Sequence, residues 1–367
     1  MARHFFGRAV KILLIGVNSL VSLIFLVACL SPYVSPKNWW IIGFAGLAVP
    51  YLILALIFLL IVWLTVKPIW SLLPLLTLVV GWLQVSVVFA WHPGAGFSKR
   101  KPANALRLVH WNVQSFNGLS KSKDARKLAP NELAASVLRH EPDVVCMQEF
   151  NTAGNADNIA LFSKQYPYHF FSRDYQRDNG NYLSGCIIFS RYPLVDSGRI
   201  KYPVAESLIY VDIKKGDDTM RLFTTHLQSF KFKAADYDDM EKVRDQEEGN
   251  LEASMSLMRK MRLAFSRRSD QADMVRSAID KSPHPVLLTG DFNDVPNSYA
   301  YFRIKGEMQD AFLKKGFGVG RTFLSLAPTL RIDYILADRR FEIRQMDLVD
   351  ENLSDHFMLV SDILLKK

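Results

Sequence analysis

Six short polar clusters punctuate the C-terminal part of the chain: HWNVQ (110–114), MQEF (147–150), TTHLQ (224–228), LLTGDFND (287–294), LRIDY (330–334) and SDH (354–356). Asp355 and His356 put a carboxylate beside an imidazole, a pairing suited to polarised proton transfer. Gly290 permits a tight turn and sets Asp291 and Asn293 on one side of an extended segment. Taken singly, each cluster reads as readily as a turn or cap, and His226 as a satisfied core histidine. As a set they point elsewhere. A structural protein gains nothing by stopping strand after strand on Asn, Glu, His and Asp. Converging strand ends gather such groups into one cleft, where general acid–base chemistry becomes available.

The elements that must position these groups are short apolar strands. Leu106–Asn112, Asp143–Glu149, Ser184–Ser190, Leu208–Ile213, Met220–His226, Pro285–Gly290, Ile332–Leu336 and Met358–Ile363 read as strands. Most are expected to carry their polar cluster at the C-terminal end, with SDH placed just before the last strand. Asn131–His140 reads as a helix, and apolar residues recur at helical spacing within Asp236–Lys281. Many strands with few long helices predict two sheets packed face to face with helices outside, rather than a doubly wound parallel sheet.

The ordered series WN…QE…SG-x-x-I-x-SR-x-P…THL…GDFN…RIDY…SDH resembles the endonuclease/exonuclease/phosphatase superfamily over about residues 105–367. The resemblance implies a four-layered α/β sandwich of two packed mixed β-sheets with outer helices, and one Mg²⁺-type (or Mn²⁺) site at the sheet ends. It implies that Glu149 binds the metal with Asn112 beside it and Asp355 near it. Asp291 would orient or deprotonate the attacking water, and Asn293 would hold the phosphate. His226 would contact a phosphate oxygen, His356 would stabilise the transition state, and Asp333 would pair with a catalytic histidine. The physics is compatible: phosphoester hydrolysis builds charge on oxygens, which a hard cation with oxygen ligands stabilises. Zinc would prefer His and Cys ligands. The three cysteines, Cys29, Cys146 and Cys186, make neither a CxxC site nor a disulfide framework.

Gln114 departs from the pattern, standing where many abasic-site endonucleases of the family carry an acid. Three functions follow as expectations. The first is a membrane-anchored nuclease or general phosphodiesterase, the second a lipid-headgroup phosphatase or sphingomyelinase-like phospholipase C, and the third a non-catalytic binding module. A nucleic-acid groove would draw on Lys121, Lys123, Arg126, Lys127, Lys231, Lys233, Arg259, Lys260, Arg262, Arg267 and Arg268, which read equally as a solvated face.

Charge is distributed unevenly. The first 98 residues hold no acid and five bases (Arg3, Arg8, Lys11, Lys37, Lys67), so the net +9 splits into +5 there and +4 on the remainder. That remainder is only mildly basic, and its charge does not by itself argue for nucleic acid. Ile12–Leu30, Trp39–Val66 and about Pro68–Ala90 are long and apolar enough to cross a bilayer, which predicts three transmembrane helices in a membrane domain over 1–91. A linker over 92–104 and a catalytic domain over 105–367 would follow. Arg3, Arg8 and Lys11 favour a cytoplasmic N-terminus, so three crossings put the catalytic domain on the outer face. Lys99, Arg100, Lys101 and Arg107 pull the other way.

Overall fold

The structure, a computed structural model, describes the chain except for residues 1, 95, 120–121, 233–235, 237–250 and 367, and the side chains of 2–8, 123–125 and 251–253. The apolar N-terminal sequence forms α1 (Ala2–Ala28), α2 (Ile41–Val66), α3 (Leu72–Val80) and α4 (Trp82–Val88). Ala9–Ala28 and Ile41–Val66 are each long and apolar enough to cross a membrane. The third expected span differs: Pro68–Val80 and Trp82–Val88 meet at a bend of 72°. Gly81 is the break. It leaves helical geometry at φ −88°, ψ 23°, and its backbone lies against Phe25 and Cys29 of α1, where a Cβ would collide. Ala90, expected to end that span, instead pairs in a strand with Gly318.

Further along, the chain forms β1 (Ala90–Trp91), β2 (Leu106–Asn112), α5 (Lys123–Arg139), β3 (Val144–Ala153) and α6 (Ala160–Ser163). Next come β4 (Tyr168–Phe171), β5 (Tyr175–Arg177), β6 (Tyr182–Ser190), β7 (Leu194–Lys201), β8 (Ser207–Lys215) and β9 (Asp218–His226). After α7 (Leu251–Asp280) follow β10 (Val286–Asp291), α8 (Tyr299–Lys305), β11 (Gln309–Asp310) and α9 (Ala311–Lys315). β12 (Phe317–Gly318), β13 (Asp333–Ala337), β14 (Phe341–Val349) and β15 (Met358–Leu365) complete the set.

One sheet has the order β11-β13-β10-β9-β8-β7, the other β14-β15-β2-β3-β6-β4, with β5 also on β6. Both are mixed, each with a single parallel pair inside it, β9/β10 and β2/β3. The sheets pack through Leu108, Cys146, Ile188, Leu222, Leu287, Ile335 and Leu359, all buried. Side chains on a strand alternate faces, so Val109, Trp111, Val145 and Met147 look outward, under Leu133 and Val137 of α5. The same alternation determines what lies above the inner core. Leu108, His110 and Asn112 share one face of β2; Leu222, Thr224 and His226 share one of β9; Leu287, Thr289 and Asp291 share one of β10. The inner faces of β9 and β10 thus pass from aliphatic to hydroxyl to ionisable toward one end of the strand, and that of β2 from aliphatic to imidazole to amide.

Two compact units result. The sandwich belongs to Ala90–Lys231, Asp270–Asp294 and Arg303–Lys367, and the apolar helices cluster with Phe232–Ser269 and Val295–Phe302. Within the latter unit two amides of the apolar helices reach carbonyls: Gln84 Nε2 donates to Cys29 O at 3.0 Å, and Asn18 Nδ2 to Trp70 O at 3.5 Å. Gly46 of α2 lies so near the Asn297 carbonyl that a Cβ would sit 2.5 Å from it.

Candidate active site

Strand direction brings the polar clusters to one end of the sandwich. β2 and β3 run parallel, as do β9 and β10, so Asn112, His226 and Asp291 emerge together at C-terminal ends. β13 and β15 run antiparallel to β10 and β2, so their starts reach the same end. Asp333 is therefore the first residue of β13, paired with Asp291, and not the close of a strand as its cluster suggested. Asp355 and His356 precede β15 for the same reason.

Glu149 arrives by a different device. Gln148, opposite Asn112 in register, faces inward and donates from Nε2 to Thr224 Oγ1 at 2.7 Å. Simple alternation would turn Glu149 away. The β3/β6 pairing slips between Met147 and Phe150, and Glu149 takes φ +51°, re-aiming its carboxylate toward Asn112. There Asn112 Nδ2 stands 3.3 Å from Glu149 Oε1 and 2.9 Å from Asp291 Oδ2.

The buried centre is Asp333. Its Oδ2 accepts from His356 Nδ1 at 2.9 Å and its Oδ1 from His110 Nε2 at 3.0 Å. The backbone N–H of His356 donates to Ser354 Oγ at 3.2 Å, and Trp111 Nε1 donates to the His356 carbonyl at 2.8 Å. His356 Nε2 then faces Asp291 Oδ2 at 3.8 Å, with His226 Nε2 at 3.6 Å from the same oxygen. Asp291 Oδ1 accepts from the Asn293 backbone N–H at 2.8 Å, while Asn293 Nδ2 donates to the Leu227 carbonyl at 3.0 Å. Asn293, at φ +51°, thereby ties the ends of β9 and β10 together. His226 Nδ1 lies 3.6 Å from Glu206 Oε2.

Burial and neighbours set the protonation states. Burial pushes the Asp333 carboxyl up, but the His356 charge and the hydrogen bonds from His110 and His356 outweigh it and hold it well below the carboxylate range. Burial lowers His356, yet Asp333 and Asp291 raise it to about 10, so the pair is an imidazolium–carboxylate couple at neutral pH. Asp291 is pushed up by burial and by Asp333, against the two imidazoles and the Asn112 amide. Burial, with Glu149 and Asp291 nearby, raises Asp355 as well.

Two groupings could hold a cation. Asp291, Asp333 and His356 offer ligand atoms within 4.8 Å of one another. However, both Asp333 oxygens and His356 Nδ1 are already committed to hydrogen bonds, which leaves this trio few open ligand atoms. The oxygen set Asn112, Glu149 and Asp355 fits a hard cation better. Gln114 joins that set: its backbone N–H donates to Asn112 Oδ1 at 3.1 Å and its Nε2 to Asp355 Oδ2 at 3.1 Å. Its Oε1 is buried without a hydrogen-bond partner, an acceptor aimed at nothing in the protein. Gln114 thus carries an unpaired acceptor oxygen next to Asn112 and Asp355.

The expected residues Asn112, Glu149, His226, Asp291, Asn293, Asp333, Asp355 and His356 come together at one end of the sandwich. His110 and Glu206 were missed. His110 could have been found, since it stands two before Asn112 on a strand and must share its face; Glu206 precedes β8 with no local signal. Among the basic residues, Lys121, Lys233 and the Lys123 side chain lie outside the described residues. Arg268 is buried against the Phe265 ring, and Lys260 pairs with Asp236 at 2.5 Å.

Residues 109–356 match the model of the Endonuclease/Exonuclease/phosphatase family, and 10–88 match one described as a domain of unknown function. No curated protein matches the chain. Among solved structures, an endonuclease/exonuclease/phosphatase from Beutenbergia cavernae superposes with TM-score 0.50 at 18% identity, covering 73% of this chain and 72% of that one. The human Nocturnin catalytic domain gives TM-score 0.50 at 18% identity over 73% of this chain and 97% of its own. A humanized D. rerio TDP2 gives 0.50 at 18% over 71% and 99%. At such identity these likenesses speak for the fold.

Proposed function

The chain belongs to the Endonuclease/Exonuclease/phosphatase family, and on that premise we propose that it is a divalent-metal-dependent phosphoesterase, anchored in a membrane by its N-terminal helices, that hydrolyses a phosphodiester. The observation that carries this reading is the joined set Asn112–Asp291 and His110–Asp333–His356, linking strand ends of both sheets. In it Asp291, fixed at Oδ1 by Asn293, turns Oδ2 toward the cleft to orient and deprotonate a water; its raised pKa makes it the stronger base. His356, kept cationic by Asp333, donates from Nε2 as charge grows on the phosphoryl oxygens, and His226 donates beside it. Asn293 holds the phosphate. Asn112, Glu149 and Asp355, with Gln114 Oε1, would hold Mg²⁺ or Mn²⁺, which when bound supplies Lewis acidity to a phosphoryl oxygen.

The apolar helices favour a second reading, in which the ester is a lipid headgroup and anchoring raises its local concentration. If α3 and α4 count as one bent crossing, three passes put the family domain opposite the N-terminus. Arg3, Arg8 and Lys11 then put it on the outer face. The test is hydrolysis of plasmid DNA, RNA, bis-p-nitrophenyl phosphate, sphingomyelin and phosphoinositides with Mg²⁺, Mn²⁺ or EDTA. EDTA is expected to abolish turnover and either cation to restore it. Full activity after exhaustive chelation would overturn the metal assignment, and the preferred substrate separates the two readings.

A further inference from the structure

The first half of α7 has a face that ordinary surface helices lack. Leu257, Ala264 and Phe265 are buried, while Met255, Met258 and Leu263 stand 52%, 45% and 50% exposed. Exposed Arg259 and Arg262 lie among them. Positions 255, 258–259 and 262–263 fall one helical turn apart, so these side chains make a single stripe, apolar and cationic together. Over 251–269 the sequence has one acid, Glu252, against five bases.

The stripe adjoins an apolar helix of the same unit. The Arg262 guanidinium sits 5.7 Å from the ring centre of Trp40, the residue that opens α2. Phe44 meets Phe265 edge-on at 5.2 Å, and Gly43 is packed so tightly that a Cβ would lie 2.7 Å from the Phe265 ring. Tryptophan at the end of an apolar helix marks the headgroup level of a bilayer. A helix held there, with Met and Leu between arginines, has the composition of one lying in the interface plane.

We propose that the first half of α7 is an in-plane interfacial helix, with Met255, Met258 and Leu263 entering the headgroup–acyl boundary while Arg259 and Arg262 engage the phosphates of anionic lipids. This rests on reading α1 and α2 as membrane spans. It gives Arg259 and Arg262 a lipid partner in place of a nucleic-acid groove, because guanidinium groups beside exposed aliphatic side chains suit a surface that offers phosphate and hydrocarbon at adjacent depths.

The experiment places a fluorophore at Met258→Cys or Phe58→Cys, in the full chain carrying Cys29→Ala. The chain is reconstituted in phosphatidylcholine nanodiscs with or without phosphatidylglycerol and quenched by nitroxide lipids of shallow or deep label. Phe58, 66% exposed on α2, reports the membrane reading and is expected to be quenched by the deep label. The Met258 site is expected to be quenched several-fold more by the shallow label than by the deep one. Phosphatidylglycerol is expected to strengthen that quenching, and Arg259→Gln with Arg262→Gln to remove the gain. Quenching at Phe58 without any at Met258 overturns the interfacial helix alone. No quenching at Phe58 overturns the membrane reading and this inference with it. Equal quenching with and without phosphatidylglycerol, or shielding of the Met258 label by an oligonucleotide instead, overturns the anionic-lipid assignment.

Discussion

Asp333 accepts hydrogen bonds from two imidazoles and carries no exposed surface of consequence, so its charge is balanced only by the groups it touches. Asp333→Asn keeps the volume but removes the largest of the charges that hold His356 cationic. Turnover is expected to fall on the order of 10²–10⁴-fold, the worth of a positioned proton donor. His110→Ala, which removes one buried hydrogen bond, is expected to cost about 1–3 kcal/mol in denaturant unfolding with a smaller loss of turnover. Equal losses of turnover in the two variants would contradict the assigned roles. Glu206 gives a pH signature. Burial, against the pull of His226 and Lys231, raises its carboxyl to about 7. A raised folded value means that its contribution to stability is whole below the ordinary carboxylate value and is lost as pH climbs through 7. Glu206→Gln, which cannot ionise, is expected to gain on wild type in Tm between pH 5 and 8; a difference flat with pH would refute the buried neutral acid.

At the scale of elements, the bulge in β3 is where backbone and chemistry compete. A non-glycine residue at φ +51° carries strain that glycine would relieve. Glu149→Gly and Glu149→Ala both delete the carboxylate, so their difference isolates the backbone. Glu149→Gly is expected to be the more stable by about 1 kcal/mol in chemical denaturation, with both variants inactive. An alanine variant as stable as the glycine one would mean the bulge is unstrained. The sequence reveals the inner strands because β2, β3, β6 and β10 are apolar runs, but β7 (LVDSGRIK) and β14 (FEIRQMDLV) escape it. They are edge strands, half solvated, and their alternation is diluted by charge. The apolarity of residues 68–90 is equally visible, whereas the bend at Gly81 and its contacts with Phe25 and Cys29, far away in sequence, are not. The site residues could be read from motif order. His110 is within reach of strand alternation, whereas the slip that aims Glu149 and the orphan oxygen of Gln114 depend on register and partners, which no local pattern encodes.

At the scale of the molecule, the apolar helices do not form a unit by themselves. Phe232–Ser269 and Val295–Phe302, which lie within the family-matching stretch, cluster with them. Gly46, pressed on the Asn297 carbonyl, is the point where this can be probed. Gly46→Leu is expected to lower the Tm of the full chain in detergent by several degrees, because backbone on both sides has nowhere to move. Gly16→Leu on α1, with open space around it, is expected to leave Tm unchanged. Identical melting of the two variants would show that the close approach carries no stability.

The discontinuity of that unit also bears on biosynthesis. Its helices emerge from the ribosome first, yet the segments they pack against, ending at Phe302, emerge some two hundred residues later. At a synthesis rate of about 5–20 residues per second, the face bearing Gly43 and Gly46 waits roughly ten to forty seconds for its partners. During that interval the face stands without them, so the order of translation, and not only the final packing, constrains how this unit assembles.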